Sequence, residues 1–362
     1  MMYTKMFSVY FFGSSFLATL LLAYQSDSWD YRTRLNIASL MALANFLAVA
    51  TVFKKYVYSV KRDAITIFVN ALIIFYYPLV MFLHFFTTSE VRSMIKHTFK
   101  NIAFHTVEKS YMENCNSFDN VMDKIDVFVA AHLVGWFIKT LAIRSFFMLN
   151  FNSVLFELIE LKFQHILPNF YECWWDHIIL DVLGCNLAGI LIGLLVLKWL
   201  NFPLFPWKIP GKFKPNKKGI IFPTVDRLLR KVFTNSSSVV LLVFYSLMTS
   251  LIDLNLFFLK AEVHLLQTNF LVLIRETVIV AISFKGSIHL HRAITEKLNP
   301  KRLYYIIATS GILLLELHLA IRWKHNLVSD KSDLTRINMV WLSMGSTLSS
   351  AMALLYVNEC LI

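Results

Sequence analysis

Between Glu157 and Asn186 the chain reads ELIELKFQHILPNFYECWWDHIILDVLGCN, a stretch dense in groups that do chemistry. It holds Glu157, Glu160, Glu172, Asp176 and Asp181, the amides Asn169 and Asn186, and the imidazoles of His165 and His177. Long apolar runs flank it on both sides, and ionisable groups at that depth face a wet cavity, pair with one another or bind something. Glu157 and Glu160 are three residues apart, and Glu172 and Asp176 four apart, so on a helix each pair shares a face. Pro168 separates the pairs and suits a helix break or a new start. Carboxylates that converge without a nearby Lys or Arg repel one another. A divalent cation relieves that repulsion, and an all-oxygen donor set suits calcium or magnesium. The competing reading leaves these acids as helix-terminal charges at a lipid–water boundary. It accounts better for Glu172 and Asp176 than for Glu157 and Glu160, which follow the apolar Val154–Phe156.

The elements that must hold these residues are apolar helices. Of 362 residues, 57% are hydrophobic and only 16% charged, and the mean hydropathy is +0.58. Those values exclude an ordinary soluble domain, and the apolar runs are too long and continuous for barrel strands. The expected fold is all-α: a polytopic membrane bundle of about ten transmembrane helices forming a single membrane domain over 1–362. The spans fall at about 6–24, 35–53, 65–86, 125–149, 151–167, 178–200, 239–260, 270–290, 303–321 and 337–357. The opening MMYTK runs into apolar sequence without an A-x-A cleavage site, so a retained first span is expected. The polar segment Thr87–Lys124 is expected to carry a short amphipathic helix near Val91–Phe104. No internal repeat of the kind that builds many transporters is evident.

The net charge is +12. The basic residues lie between apolar runs and no nucleic-acid fingerprint accompanies them, so they read as positive-inside signals and anionic-lipid contacts. Residues 201–238 set Lys208, Lys212, Lys214, Lys217, Lys218, Arg227, Arg230 and Lys231 against one acid, Asp226. This basic loop belongs in the cytoplasm, which puts both termini there and the Pro168–His177 turn on the opposite, lumenal side. Cys115, Cys173, Cys185 and Cys360 form no CxxC pair, and neither a disulfide framework nor a zinc site is expected.

The order of motifs adds a family. HILPNFYECWWDHIILDVLGCN at 165–186 resembles the signature of the base-exchange phosphatidylserine synthases. So do AHLVGWFIKTLAIRS at 131–145, FELIE at 156–160 and DLNLFFLK at 253–260, with Arg275 beyond. The ordered set covers about Tyr111–Ile294, and 125–294 is the expected catalytic core region. Asp253 stands where Glu is usual and His177 where Gln or His is usual. The family's Arg-Pro-His-Pro stretch is missing, with Tyr77-Pro78 the nearest remnant.

What the resemblance implies is phosphatidylserine synthesis in the endoplasmic reticulum membrane. L-serine replaces the head group of phosphatidylcholine or phosphatidylethanolamine, with calcium as the ion, no nucleotide and no nucleic-acid partner; a homodimer is among the assemblies open to it. Carried over by position, His132 is the base that activates serine. Glu157, Glu160, Asn169, Glu172 and Asp176 form the metal cage. Asp181, Asn186, Asn255, Lys260, Arg275 and Arg144 contact substrate. Trp174 and Trp175 read either as a cation–π platform for choline or as an interfacial aromatic belt. Two other classes compete. The CDP-alcohol phosphotransferases need a D-G-x2-A-R run, but no Asp in 157–186 precedes a Gly. A receptor or transporter would use the same acids to line a pathway, without phospholipid turnover.

Overall fold

The computed structural model describes residues 2–56, 63–105, 112, 115–116, 127–207, 209, 219–324 and 334–361. Within them all regular structure is helical. The helices are α1 (Met2–Gln25), α2 (Tyr31–Tyr56), α3 (Ala64–Leu83), α4 (Thr88–Thr98), α5 (Val127–Ile143) and α6 (Phe146–Phe163). They continue with α7 (Asp176–Trp199), α8 (Pro223–Val232), α9 (Ser236–Val263), α10 (Phe270–Thr295), α11 (Pro300–Trp323) and α12 (Thr335–Leu361). Among the described residues six helices, α2, α3, α7, α9, α11 and α12, are long and apolar enough to cross a bilayer.

All ten segments expected to span the membrane contain helix, though among the described residues six helices meet the length and apolarity of a crossing. Charge is one reason: α6 carries Glu157, Glu160 and Lys162, and α10 carries Arg275, Glu276 and Lys285. One boundary moves. The expected span 125–149 breaks after Ile143, where Arg144 adopts φ 54°, so Leu149 belongs to α6. The amphipathic helix expected near Val91–Phe104 starts earlier, because Thr87 and Glu90 form a reciprocal capping box. The segment 117–126 and Lys208, Lys212, Lys214, Lys217 and Lys218 lie outside the described residues.

The chain divides into two compact units. The first comprises Met1–Val107, Leu251–His289 and Asn299–Leu327. Side chains place its helix starts: Asp63 accepts from the Thr66 amide (2.6 Å) and hydroxyl (2.8 Å), and Asn299 caps α11 ahead of Pro300. Those two bonds hold the Asp63 carboxyl below its ordinary range. Phe85, Phe86, Ile73, Met81, Tyr305 and Ile279 are fully buried in this unit.

The second unit comprises Glu108–Ser250, Leu290–Leu298 and Val328–Ile362. Trp136, Ile143, Met148, Leu149, Ile190, Trp207, Leu242 and Tyr245 form its apolar core. Here α5 and α7 approach closely, because α7 presents Gly189 and Gly193, one turn apart, to α5. A Cβ at Gly189 would stand 2.4 Å from the Leu133 carbonyl oxygen, and one at Gly193 would stand 2.6 Å from Thr140 Cβ. Gly135 on α5 faces open space. Gly189→Ala is therefore expected to destabilise the protein by about 1–3 kcal/mol through overpacking. Gly135→Ala is expected to be neutral or mildly stabilising through helix propensity. Thermal unfolding in detergent compares the two, and equal behaviour would remove the close-packing account.

Candidate active site

The acidic stretch folds into one cluster within the second unit. α6 aligns Ser153, Glu157 and Glu160 on a single face, all buried. After α6 the chain turns through a short 3-10 segment, Pro168–Phe170, in which Asn169 is buried. It then runs without regular structure to Cys173. Glu172 therefore precedes α7 and is not its helical partner, so the expected Glu172–Asp176 helix face does not form. Tertiary packing brings the two acids together instead.

The first half of α7, Asp176–Asn186, is wound as a π-helix. With i→i+5 bonding, residues five apart stack, so Asp176, Asp181 and Asn186 share one side. An α-helix would spread them around the axis. Asp176, His177, Asp181, Cys185 and Asn186 are all buried.

These elements converge closely. His177 Nδ1 lies 3.0 Å from Glu157 Oε2, 3.6 Å from Glu160 Oε2 and 3.9 Å from Glu172 Oε2. Glu157, Glu160, His177 and Asp181 each offer a ligand atom within 4.8 Å of the others, and so do Glu172, Asp176 and Asp181. Asp181 belongs to both sets. Carboxylate oxygens dominate the donors, which fits a hard divalent cation. Burial, reinforced by the Glu160 charge, holds the Glu172 carboxyl well above the ordinary carboxylate range.

His132 reaches the cluster from α5. Its Nδ1 donates to Asn186 Oδ1 at 3.1 Å and lies 3.8 Å from Asp181 Oδ1. The Asn186 amide nitrogen donates to Ser153 Oγ (3.0 Å) and Glu157 Oε1 (3.3 Å). A carboxylate only accepts, so Glu157 sets the orientation of the Asn186 amide, and Asn186 Oδ1 in turn requires the proton on His132 Nδ1. The Nε2 lone pair of a neutral His132 is then available.

The remaining sequence candidates make other contacts. Arg144 caps the α5–α6 break; its guanidinium lies 4.9 Å from the Phe202 ring and 4.8 Å from that of Phe205. Asn255, Lys260 and Arg275 belong to the first unit. There Arg275 donates to both carboxylate oxygens of Glu316, to the Ile252 carbonyl (2.9 Å) and to Glu276 (3.1 Å). Asn255 donates to the Leu313 carbonyl and to Glu316, and Tyr76 donates to Glu316 as well. Lys260 is buried with its ammonium 5.2 Å from the Phe257 ring.

Several features escaped the sequence reading. A Cys115–Cys173 disulfide, Cα–Cα 5.6 Å, corrects the expectation of none; its cysteines are 58 residues apart in no recognisable motif. It fastens Cys115 to the turn that carries Glu172. Trp175 is buried and its Nε1 donates to the Cys115 carbonyl (2.9 Å), whereas Trp174 is 64% exposed, so only Trp174 suits an interfacial belt. His177 enters the donor set, a role its acidic surroundings signalled. Ser153 anchors Asn186, and its place four residues before Glu157 on one helix face was the available signal.

The family model for phosphatidyl serine synthase matches residues 61–324. "Phosphatidylserine synthase 2" of Mus musculus is 36% identical over 217 residues, covering 54% of this chain and 45% of that protein. "CDP-diacylglycerol--serine O-phosphatidyltransferase 2" of Oryza sativa subsp. japonica is 29% identical over 299 residues, covering 77% of this chain and 70% of that protein. "Phosphatidylserine synthase 1" of Danio rerio is 30% identical over 197 residues, covering 53% and 42%. The match thus spans about half the length of the animal relatives. With these motifs in order, the acidic cluster assembled and the family model covering most of its length, the chain belongs to the phosphatidyl serine synthase family.

Proposed function

We propose that this protein is a transferase that makes phosphatidylserine by calcium-dependent base exchange, with L-serine displacing choline or ethanolamine from a membrane phospholipid. The observation that carries the reading is the convergence of His132, oriented through Asn186, on a buried carboxylate cluster within a family member. His132 Nε2 takes the proton from the serine hydroxyl as its oxygen attacks phosphorus. The bond from phosphorus to the head-group oxygen breaks, and His132 returns the proton to the departing choline or ethanolamine. One phosphodiester forms as another is lost, so no nucleotide is consumed. Glu157, Glu160, Glu172, Asp176 and Asp181, with His177 and Asn169, would hold calcium, which when bound offsets phosphate charge and acts as a template.

The reading extends to placement. The basic loop 201–238 and both termini lie in the cytoplasm, and the Pro168–His177 turn faces the lumen of the endoplasmic reticulum. The Cys115–Cys173 disulfide beside that turn supports an oxidising compartment on that side.

A second donor is favoured by one observation: the rice relative named for CDP-diacylglycerol covers 77% of this chain. The two readings separate in proteoliposomes of the purified protein supplied with labelled serine. Base exchange is expected to give labelled phosphatidylserine from phosphatidylcholine or phosphatidylethanolamine, releasing one head group per serine incorporated. Incorporation only with CDP-diacylglycerol would replace exchange by nucleotide-activated transfer. No incorporation with any donor would favour a receptor or transporter.

His132→Ala is expected to lower turnover by at least about a hundredfold, the scale of a lost general base. Calcium affinity, read by titration calorimetry, should be largely kept. His165→Ala should do much less, and His177→Ala should act mainly by raising the calcium requirement. Near-normal exchange by His132→Ala would end its assignment as base.

Chelation is expected to abolish exchange. Because Glu172 holds its proton to a higher pH than an ordinary carboxyl, calcium must displace that proton. The half-maximal calcium concentration should therefore rise as pH falls. Glu172→Gln should raise the calcium requirement and flatten that slope. Full activity in chelator would remove the metal from the reaction.

A further inference from the structure

Helix α8 is amphipathic in the wrong sense for water. A surface helix of a soluble protein turns its apolar stripe inward and its charges outward. In α8 Asp226 is completely buried, while Val225, Leu228 and Val232 are 47%, 57% and 43% exposed. Those three recur at i, i+3 and i+7, one continuous stripe. Phe222, just ahead of the helix, extends it with a ring 69% exposed. Its backbone adopts φ 45°, a costly conformation for an aromatic residue, held by the close packing that follows.

That packing is polar and specific. Asp226 accepts from Arg230 Nε (2.8 Å) and from the Asn358 amide (3.1 Å). Asn358 also accepts from the Ile221 amide (2.9 Å) and donates to the Ile221 carbonyl (3.0 Å). A Cβ at Gly219 would stand 2.6 Å from both Asp226 and Asn358. The end of α12 thus grips the polar side of α8 and leaves the apolar stripe facing out. Arg227 and Lys231, both exposed, lie on the flank between the polar side and the stripe.

We propose that the exposed stripe of α8 docks on an anionic phospholipid surface, the bilayer in which the protein itself sits. Phe222, Val225, Leu228 and Val232 enter the head-group–acyl boundary, and Arg227 and Lys231 reach anionic head groups at its edge. Charge decides the occupant: residues 201–238 hold eight basic side chains against one acid, which is itself buried in ion pairing. The site is independent of the exchange chemistry.

The test uses the full chain with Cys360→Ser, reconstituted in vesicles of phosphatidylcholine alone or with added phosphatidylglycerol. An environment-sensitive fluorophore is attached at Leu228→Cys on the stripe or at Pro223→Cys on the opposite side. The Leu228 probe should be quenched by spin-labelled lipid and shielded from aqueous iodide, with the reverse for the Pro223 probe. Phosphatidylglycerol should raise lipid quenching at Leu228 several-fold, and Arg227→Glu with Lys231→Glu should abolish that increase. Iodide quenching of both probes alike would overturn the proposal. So would a Leu228 probe shielded from both quenchers, which would mean that protein covers the stripe. An absence of any response to phosphatidylglycerol would remove the anionic lipid from it.

Discussion

The second unit is organised by the mutual repulsion of buried carboxylates. Glu157, Glu160 and Asp181 offer oxygens within 4.8 Å of one another. At the effective dielectric that describes protein sites, each such pair repels by roughly 3–4 kcal/mol when both are ionised. Three pairs approach the whole stability of an ordinary domain, about 5–15 kcal/mol. One imidazole, His177, stands among them and offsets only part of that. The cluster holds together under three covalent and packing constraints. Gly189 and Gly193 clamp α7 against α5, the Cys115–Cys173 disulfide fastens the turn, and the π-wound start of α7 stacks Asp176, Asp181 and Asn186. Each constraint keeps negative groups where they would otherwise drift apart, the arrangement expected of a site shaped for a cation.

The first unit buries charge in the opposite manner. Arg275 and Glu316 neutralise each other through two parallel bonds, and Tyr76, Asn255, Glu276 and the Ile252 carbonyl take further hydrogen-bonding positions. A pair satisfied in this way specifies packing, and breaking it would leave an uncompensated buried charge. Motif position offered Arg275 and Asn255 as substrate contacts, and in the structure both hydrogen-bond to protein groups. The same residue types therefore do different work in the two units, and the difference lies in whether the protein itself supplies the counter-charge.

Much of this was legible in the sequence. Apolar runs reported the helices because lipid leaves the backbone no other way to satisfy its hydrogen bonds. Charged residues inside those runs marked the site because burying them is too costly to be incidental. Motif order pointed to the family, since each motif carries polar residues that apolar packing alone would not demand.

Other features depended on contacts between residues distant in the chain. The Cys115–Cys173 bond joins residues 58 apart, and no local pattern encodes that distance. Glu172 reaches Asp176 and Asp181 from an irregular turn, so helical spacing gave the right neighbours for the wrong reason. The inverted exposure of α8 follows from the grip of Asn358 on Asp226 across more than a hundred residues. The orientation of His132 rests on Asn186, Glu157 and Ser153, which three-dimensional packing alone brings to one place. Sequence by itself determined which residues are present and which segments must be helical, because both follow from local composition and the demands of lipid. Tertiary structure decided which charges meet, because electrostatic energy depends on distance in space and not on separation along the chain.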